Sequence, residues 1–525
     1  MSNGWYQLEH NRPRKGVPYL PGGTPRREPY IPVTRSTVPE PPIPERLPQE
    51  PPAPPVRQRE TEPAPLVEAA PAEEQGETAW ERTDSAPPPM PEEEPSAHSQ
   101  TVGAGGPVVL LDGALHETLA GFIHEKPLER AVHAKGWGAF GQFETGRAMG
   151  EYTVLPFLQR VGEQTPTVSR FSLAVSSRDT PDASRNVRGF STKFYTGNGV
   201  FDLLCNHLPV FSVRDAMRFP EFIRTLGPAP GSNLRDPERF WAFVAHAPEA
   251  LHFVTWLYSD AGTVKSLRHL RTYGVNTYVW RNAAGKRRYV KYHWLPQAGT
   301  EFLTAAESAA LAGDPDVAGR GLYEAIARGE GPEYELRVQL MDPADAESLP
   351  YDPLDATKVW SEADYPLQPV GRLILNRNPE NYREQVEKLA FSPANLLPGA
   401  EFSDDKLLQG RSAVYWDAQR RRLGTDFRKI PVNRQEGWTP DQQVSSGLGA
   451  ETAGTQVRAG ISRRDDFTQA GERYRALPRE EQEHLEENIA SELRGVSRET
   501  RETVLDYLSC ADRDYGGRVA EKSRA

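Results

Sequence analysis

A chain of 525 residues is too long for one small core and implies more than one folded unit. A formal net charge of −11 and an isoelectric point near 5.6 argue against nucleic acid or an anionic membrane as partner, since both call for a basic surface. Mean hydropathy is −0.64, no apolar run is long enough for a transmembrane helix, and the two cysteines, Cys205 and Cys510, are too far apart in sequence to suggest a disulfide framework. The start, "MSNGWYQLEHNRPRKG", has no apolar segment behind its basic residues. A cytoplasmic protein is therefore expected.

Residues 1–105 hold about half of the 48 prolines, in runs such as "PEPPIPERLPQEPPAPP". Proline fixes φ and removes an amide donor, and few large aliphatics are present to offset the entropy of ordering. The segment reads as a disordered tail with extended polyproline character. Its charge is blocked, basic before residue 37 and Glu-rich over 59–95. It is either a solvated spacer or a docking arm whose partner the sequence does not name.

Residues 106–435 read as the globular core. "TPTVSRFSLAVSS" and "PEYELRVQLMD" are strand candidates, and "NTYVWRNAAGKRRYVKYHWLP" reads as a hairpin about "NAAG". In its second arm Val290, Tyr292 and Trp294 share a face. "PERFWAFVAHAPEALHFVTWLYSD" carries helical signals. No βαβ alternation is found, so the α+β core should carry an antiparallel sheet, closed or nearly so. A linker over 436–460 leads to a helical region over 461–525. There Leu485, Ile489 and Leu493, then Val504, Leu508 and Ala511, mark apolar helix faces, with Pro478 near the start of the first helix.

Three stretches could carry chemistry. "ERAVHAKGWGAFGQFETG", residues 129–146, sets His133 beside four closely spaced glycines without the pattern of a phosphate loop or dinucleotide fingerprint. A core histidine, a metal ligand and an acid–base group all remain open there. Asn206 precedes an apolar, aromatic segment with Phe211 and Phe219, as a satisfied core amide or a hydrogen-bond donor to a small polar substrate. In "GRSAVYWDAQRRRLG", Tyr415 lies four residues after Arg411, so a helix puts them on one face. The pair is either a stacked tyrosine–arginine contact or a phenolate suited to ferric iron.

Taken together, "RAVHAKGWGAFGQFE", "RGFSTKFYT", "FDLLCNHLPVF", "RDAMRFPEF", "DPLDATKVW" and "RSAVYWDAQRRRLG" resemble the successive blocks of the monofunctional haem catalases, of the small-subunit type. The likeness runs in chain order from about residue 106 to 522 and leaves the proline-rich tail outside it. It implies a closed antiparallel β-barrel of about eight strands, with an N-terminal arm, a wrapping segment and a C-terminal helical domain. It implies haem, most simply haem b with ferric iron, a homotetramer, and disproportionation of hydrogen peroxide to water and dioxygen. A relative acting on organic or fatty-acid hydroperoxides is the alternative.

By matched position, His133 and Asn206 stand as the catalytic pair on the distal side, with Ser172 bonded to the histidine's other nitrogen. Tyr415 stands as the iron ligand and Arg411 as its charge partner. Arg130, Arg170 and Arg422 match the arginines that meet the haem propionates, and Val132, Phe211 and Phe219 the apolar wall. Trp137, Ser212, Asn276 and Gln419 depart from the pattern. "APEALH" has Ala247 where an arginine is common, from which weak or absent NADPH binding is expected.

Overall fold

In the computed structural model the described residues are 129–177, 179–434, 457, 461 and 465–524. The expected tail and most of the linker lie outside them. Ten strands are described: β1 (Gly136–Thr145), β2 (Gln164–Leu173), β3 (Arg188–Thr196), β4 (Gly199–Asn206), β5 (Thr272–Tyr273), β6 (Tyr278–Arg281), β7 (Arg287–Pro296), β8 (Glu333–Met341), β9 (Gln368–Arg377) and β10 (Ala400–Phe402). The helices are α1 (Phe219–Leu226), α2 (Pro237–His246), α3 (Leu251–Tyr258), α4 (Ala305–Ala310), α5 (Val317–Ala327), α6 (Lys406–Leu423), α7 (Thr468–Ala476), α8 (Arg479–Leu493), α9 (Arg498–Ala511) and α10 (Arg513–Arg524).

All named strand pairs are antiparallel, and β7 pairing with β8 closes the ring β1-β2-β3-β4-β5-β7-β8-β9 into the expected eight-stranded barrel. Closure removes the open edges of the sheet. Alternation along the strands sorts the side chains. Phe171, Phe190, Phe194, Leu203, Cys205 and Trp294 fill the interior, where Phe171 stacks on Phe190 with ring centroids 4.6 Å apart. The intervening residues Val168, Arg170, Ser172, Leu204 and Asn206 face outward, and the site is built on that outer face.

The predicted hairpin is β6–β7, with Arg281 opposite Arg287, and Val290, Tyr292 and Trp294 are all buried in the barrel core. Strands β5 and β6 pair with successive parts of the same edge of β7. They form one interrupted strand, broken where Val275 takes φ +58°. The break turns Asn276 out of the ladder, with consequences for the site.

A second core joins α1, α2 and α3 to the C-terminal helices. Leu485, Ile489 and Leu493 are buried in it, as are Val504, Leu508 and Ala511. Pro478 precedes the second described C-terminal helix, α8, not the first. The sequence reading missed α7, whose buried residues are Ala470, Gly471 and Tyr474, too few apolar groups to show a period.

Candidate active site

Helix α6 packs on the outer face of the barrel, with Tyr415 against Val168, Leu204, Phe391 and Val432. Between them lies a cavity of about 560 Å³. It is lined by Val132, His133, Ser172 and Asn206, by Phe211 and Phe219, and by Arg411, Val414 and Tyr415 of α6. The structure thus gathers on one cavity all the residues that the sequence assigned to the site, since Arg130, Arg170 and Arg422 line it too.

His133 sits just before β1 in a left-handed conformation, φ +61°. Its amide donates to the Ala174 carbonyl at 2.9 Å, and its Nδ1 lies 2.9 Å from Ser172 Oγ. Arg170 donates to the carbonyls of His133 and Ala134 at 2.9 and 2.8 Å, so it fixes the backbone that carries the ring. Gly189 is required beneath the imidazole. A Cβ there would lie 2.9 Å from His133 Nδ1 and 2.8 Å from Ser172 Oγ. Burial, then the charges of Arg170, Arg411 and Arg130, hold the His133 pKa down at about 3. The ring is therefore neutral at physiological pH and available as a base.

On α6, Arg411 donates to the Tyr415 hydroxyl at 3.2 Å. Arg411 also donates to Asn276 Oδ1, and Asn276 Nδ2 donates to Asp405 Oδ2 at 2.8 Å. Only this amide orientation turns oxygen to the guanidinium and hydrogens to the carboxylate. Asp405 caps α6, its Oδ1 accepting from the Leu408 amide at 2.9 Å, while Oδ2 also accepts from the Thr277 amide at 3.2 Å. A relay Asp405–Asn276–Arg411–Tyr415 thus ties the broken strand to the helix.

Arg130, Arg170 and Arg422 converge at one end of the cavity. Arg130 pairs with Glu387 at 2.7 Å. Arg422 donates to the Glu387 and Leu389 carbonyls and, at 2.9 Å, to Gln419 Oε1. Burial, then Arg170 and Arg422, drop the Arg130 pKa well below its ordinary value. Three buried guanidiniums facing one partly exposed carboxylate are short of negative charge, and two further carboxylates would satisfy them.

The departures have distinct surroundings. Trp137 does not line the cavity; it packs on α5, where a Cβ at Gly319 would lie 1.8 Å from its indole nitrogen. Gln419 holds Arg422, as just described. Ser212 is buried on the cavity wall, and its hydroxyl has no hydrogen-bond partner among the described residues. Ala247 is wholly buried in the helical cluster, so it belongs to the core there and not to a surface cleft.

Sequence reasoning missed Asp405, Glu387 and Gly189. Asp405 had a local signal, an acidic residue just ahead of a helix. The other two are set by contacts across the fold.

The donor set points to haem. Among the described residues no group of three or more His, Cys, Asp or Glu could hold a bare metal ion. A single phenol oxygen, apolar walls and an arginine cluster at one end suit iron carried in a flat, apolar macrocycle with carboxylate arms.

Comparison with known proteins agrees with this geometry. The catalase family model matches residues 88–459, and the model described as catalase-related immune-responsive matches residues 460–523. The chain is 40% identical over 465 residues to a catalase of Methanosarcina barkeri, covering 81% of this chain and 90% of that protein. It is 40% identical over 455 residues to catalase-1 of Arabidopsis thaliana, covering 81% and 92%. A solved bacterial catalase superposes with a TM-score of 0.71 at 37% identity, covering 83% of this chain and 94% of that one. The span matched by the first family model takes in the whole set from Arg130 to Arg422, and the chain belongs to the catalase family.

Proposed function

We infer that the chain is a monofunctional catalase that converts two molecules of hydrogen peroxide to dioxygen and two waters. The observation that carries the mechanism is the neutral imidazole of His133, held by Ser172 on the same cavity as Tyr415 and its Arg411 partner. We assign Nδ1–H of His133 as donor to Ser172 Oγ, which leaves a lone pair on Nε2. His133 then takes a proton from one peroxide oxygen and returns it to the other, which leaves as water. Asn206, on the same cavity, donates a hydrogen bond to the leaving oxygen as charge develops there. Bound haem, of the b type in this reading, supplies the iron and its redox equivalents. Tyr415 would hold its iron, Arg130, Arg170 and Arg422 would pair with its propionates, and Val132, Phe211 and Phe219 would keep water out of the pocket.

A homotetramer, the reducing cytoplasm as compartment and the absence of bound NADPH complete the proposal. The two thiols, both free, support the compartment. Retention of stoichiometric NADPH through gel filtration would refute the last. The match of residues 460–523 to the second family model speaks against the organic-hydroperoxide alternative. Peroxide consumption by the haem-loaded protein tests the reading. Hydrogen peroxide is expected to be consumed far faster than tert-butyl hydroperoxide, and the reverse order would favour the alternative.

A further inference from the structure

The cavity that holds His133 and Tyr415 does not end at Phe211 and Phe219. Its lining also takes in Ile223 and Leu226 of α1, Phe253 of α3 and a polar group of Arg235, Tyr258 and Glu492. Glu492 comes from α8, in the part of the chain matched by the second family model. Its carboxylate collects three donors. Arg235 donates to Oε1 at 2.7 Å, and the Trp241 indole and Tyr258 hydroxyl donate to Oε2 at 3.0 and 2.5 Å.

Exposure orders these groups from inside to outside. Trp241 and Tyr258 are buried, the Glu492 side chain is 22% exposed, and that of Arg235 is 77% exposed. Two neutral donors therefore fix the carboxylate from within, and the guanidinium lies where the cavity meets solvent. The segment between α1 and α2 that carries Arg235 is pinned at its other end as well. Arg239 donates to the carbonyls of Arg224, Gly227 and Pro228. An exposed ion pair ordinarily loses much of its gain in ordering two long side chains. Here one partner is ordered already, so only the arginine loses freedom.

We propose that Glu492 is a positioning residue that holds Arg235 across the outer end of the cavity and so limits the size of solute admitted. This rests on the reading of the cavity as a peroxide site, and it gives the C-terminal helices a part in choosing the substrate. The test follows the haem absorption change on rapid mixing of the haem-loaded full chain with ethyl hydroperoxide and with tert-butyl hydroperoxide. In Arg235→Ala the rate with the bulkier peroxide, relative to the smaller one, is expected to rise about threefold, the scale of an exposed ion pair. Glu492→Gln should shift the ratio in the same direction, and the double variant should add little to either single one, as for two residues acting through one contact. An unchanged ratio in Arg235→Ala would overturn the proposal, as would fully multiplicative effects in the double variant. Arg235 is exposed, so its variant decides the matter even if Glu492→Gln folds poorly. Dioxygen release from hydrogen peroxide by the wild type is the control. Its absence would sink the catalase reading, whereas normal release with an unchanged ratio would sink only the role of Glu492 and Arg235.

Discussion

His133 depends on three neighbours and on its burial, each in a different way. Ser172 fixes the ring, Arg170 fixes the backbone, Gly189 leaves space, and burial keeps the imidazole neutral. His133→Ala should lower peroxide turnover by about 10²–10⁴-fold, the usual worth of a positioned acid–base group. Haem absorbance should persist, because Tyr415 and the arginine cluster are untouched. Turnover near the wild-type level would remove His133 from the mechanism. At this scale the sequence was informative wherever two functional groups are near in the chain or sit in a distinctive run. Arg411 and Tyr415 are legible as a pair because four residues make one helical turn. The link from Arg411 to Asp405 through Asn276 is not legible, since it crosses from a helix to a broken strand 135 residues away.

At the scale of elements, the interrupted strand β5–β6 and helix α6 form one device. Asp405 serves both, capping the helix and receiving the amides of Asn276 and Thr277. Asp405→Ala removes the cap and leaves two buried donors unsatisfied. Loss of the cap alone costs about 1 kcal/mol, and each orphaned donor about 1–3 kcal/mol. The thermal midpoint should fall clearly, and the haem spectrum should change as Arg411 and Tyr415 lose their fixed setting. An unaltered spectrum together with an unaltered midpoint would show that the relay is not needed. The barrel strands were legible because β2 is rich in Val, Thr and Phe and because Val290, Tyr292 and Trp294 alternate in β7. The break at Val275 was not, because a positive φ at a β-branched residue has no local signal. Helix α7 was missed for lack of apolar period, and the segment between β9 and β10 can be understood only through its anchors. Asp202, buried with Lys193 at 2.7 Å, also accepts from the Ser392 amide and from Asn395 Nδ2.

At the scale of the molecule, three further histidines among the described residues are buried in the neutral state. Burial, offset in part by hydrogen bonds, holds His252 and His293 at about 3 and His207 well below its ordinary value. Below the unfolded value near 6.5 the unfolded chain takes up protons that the folded chain refuses. Stability should therefore fall as pH drops from about 6.5 toward about 3, by up to about 4 kcal/mol per pH unit for three such groups. Thermal midpoints measured between pH 7 and pH 5 check this, and a flat profile would contradict it. Removal of residues 1–100 should leave turnover intact, because every residue assigned to the site lies beyond them. A large loss would overturn the reading of the tail as a spacer.

The most direct test of the central claim is dioxygen release, followed with an oxygen electrode after hydrogen peroxide is added to the haem-loaded protein. The account predicts rapid evolution of one dioxygen for every two peroxides consumed. A haem-loaded protein that consumes peroxide without releasing dioxygen, or leaves it untouched, would contradict it.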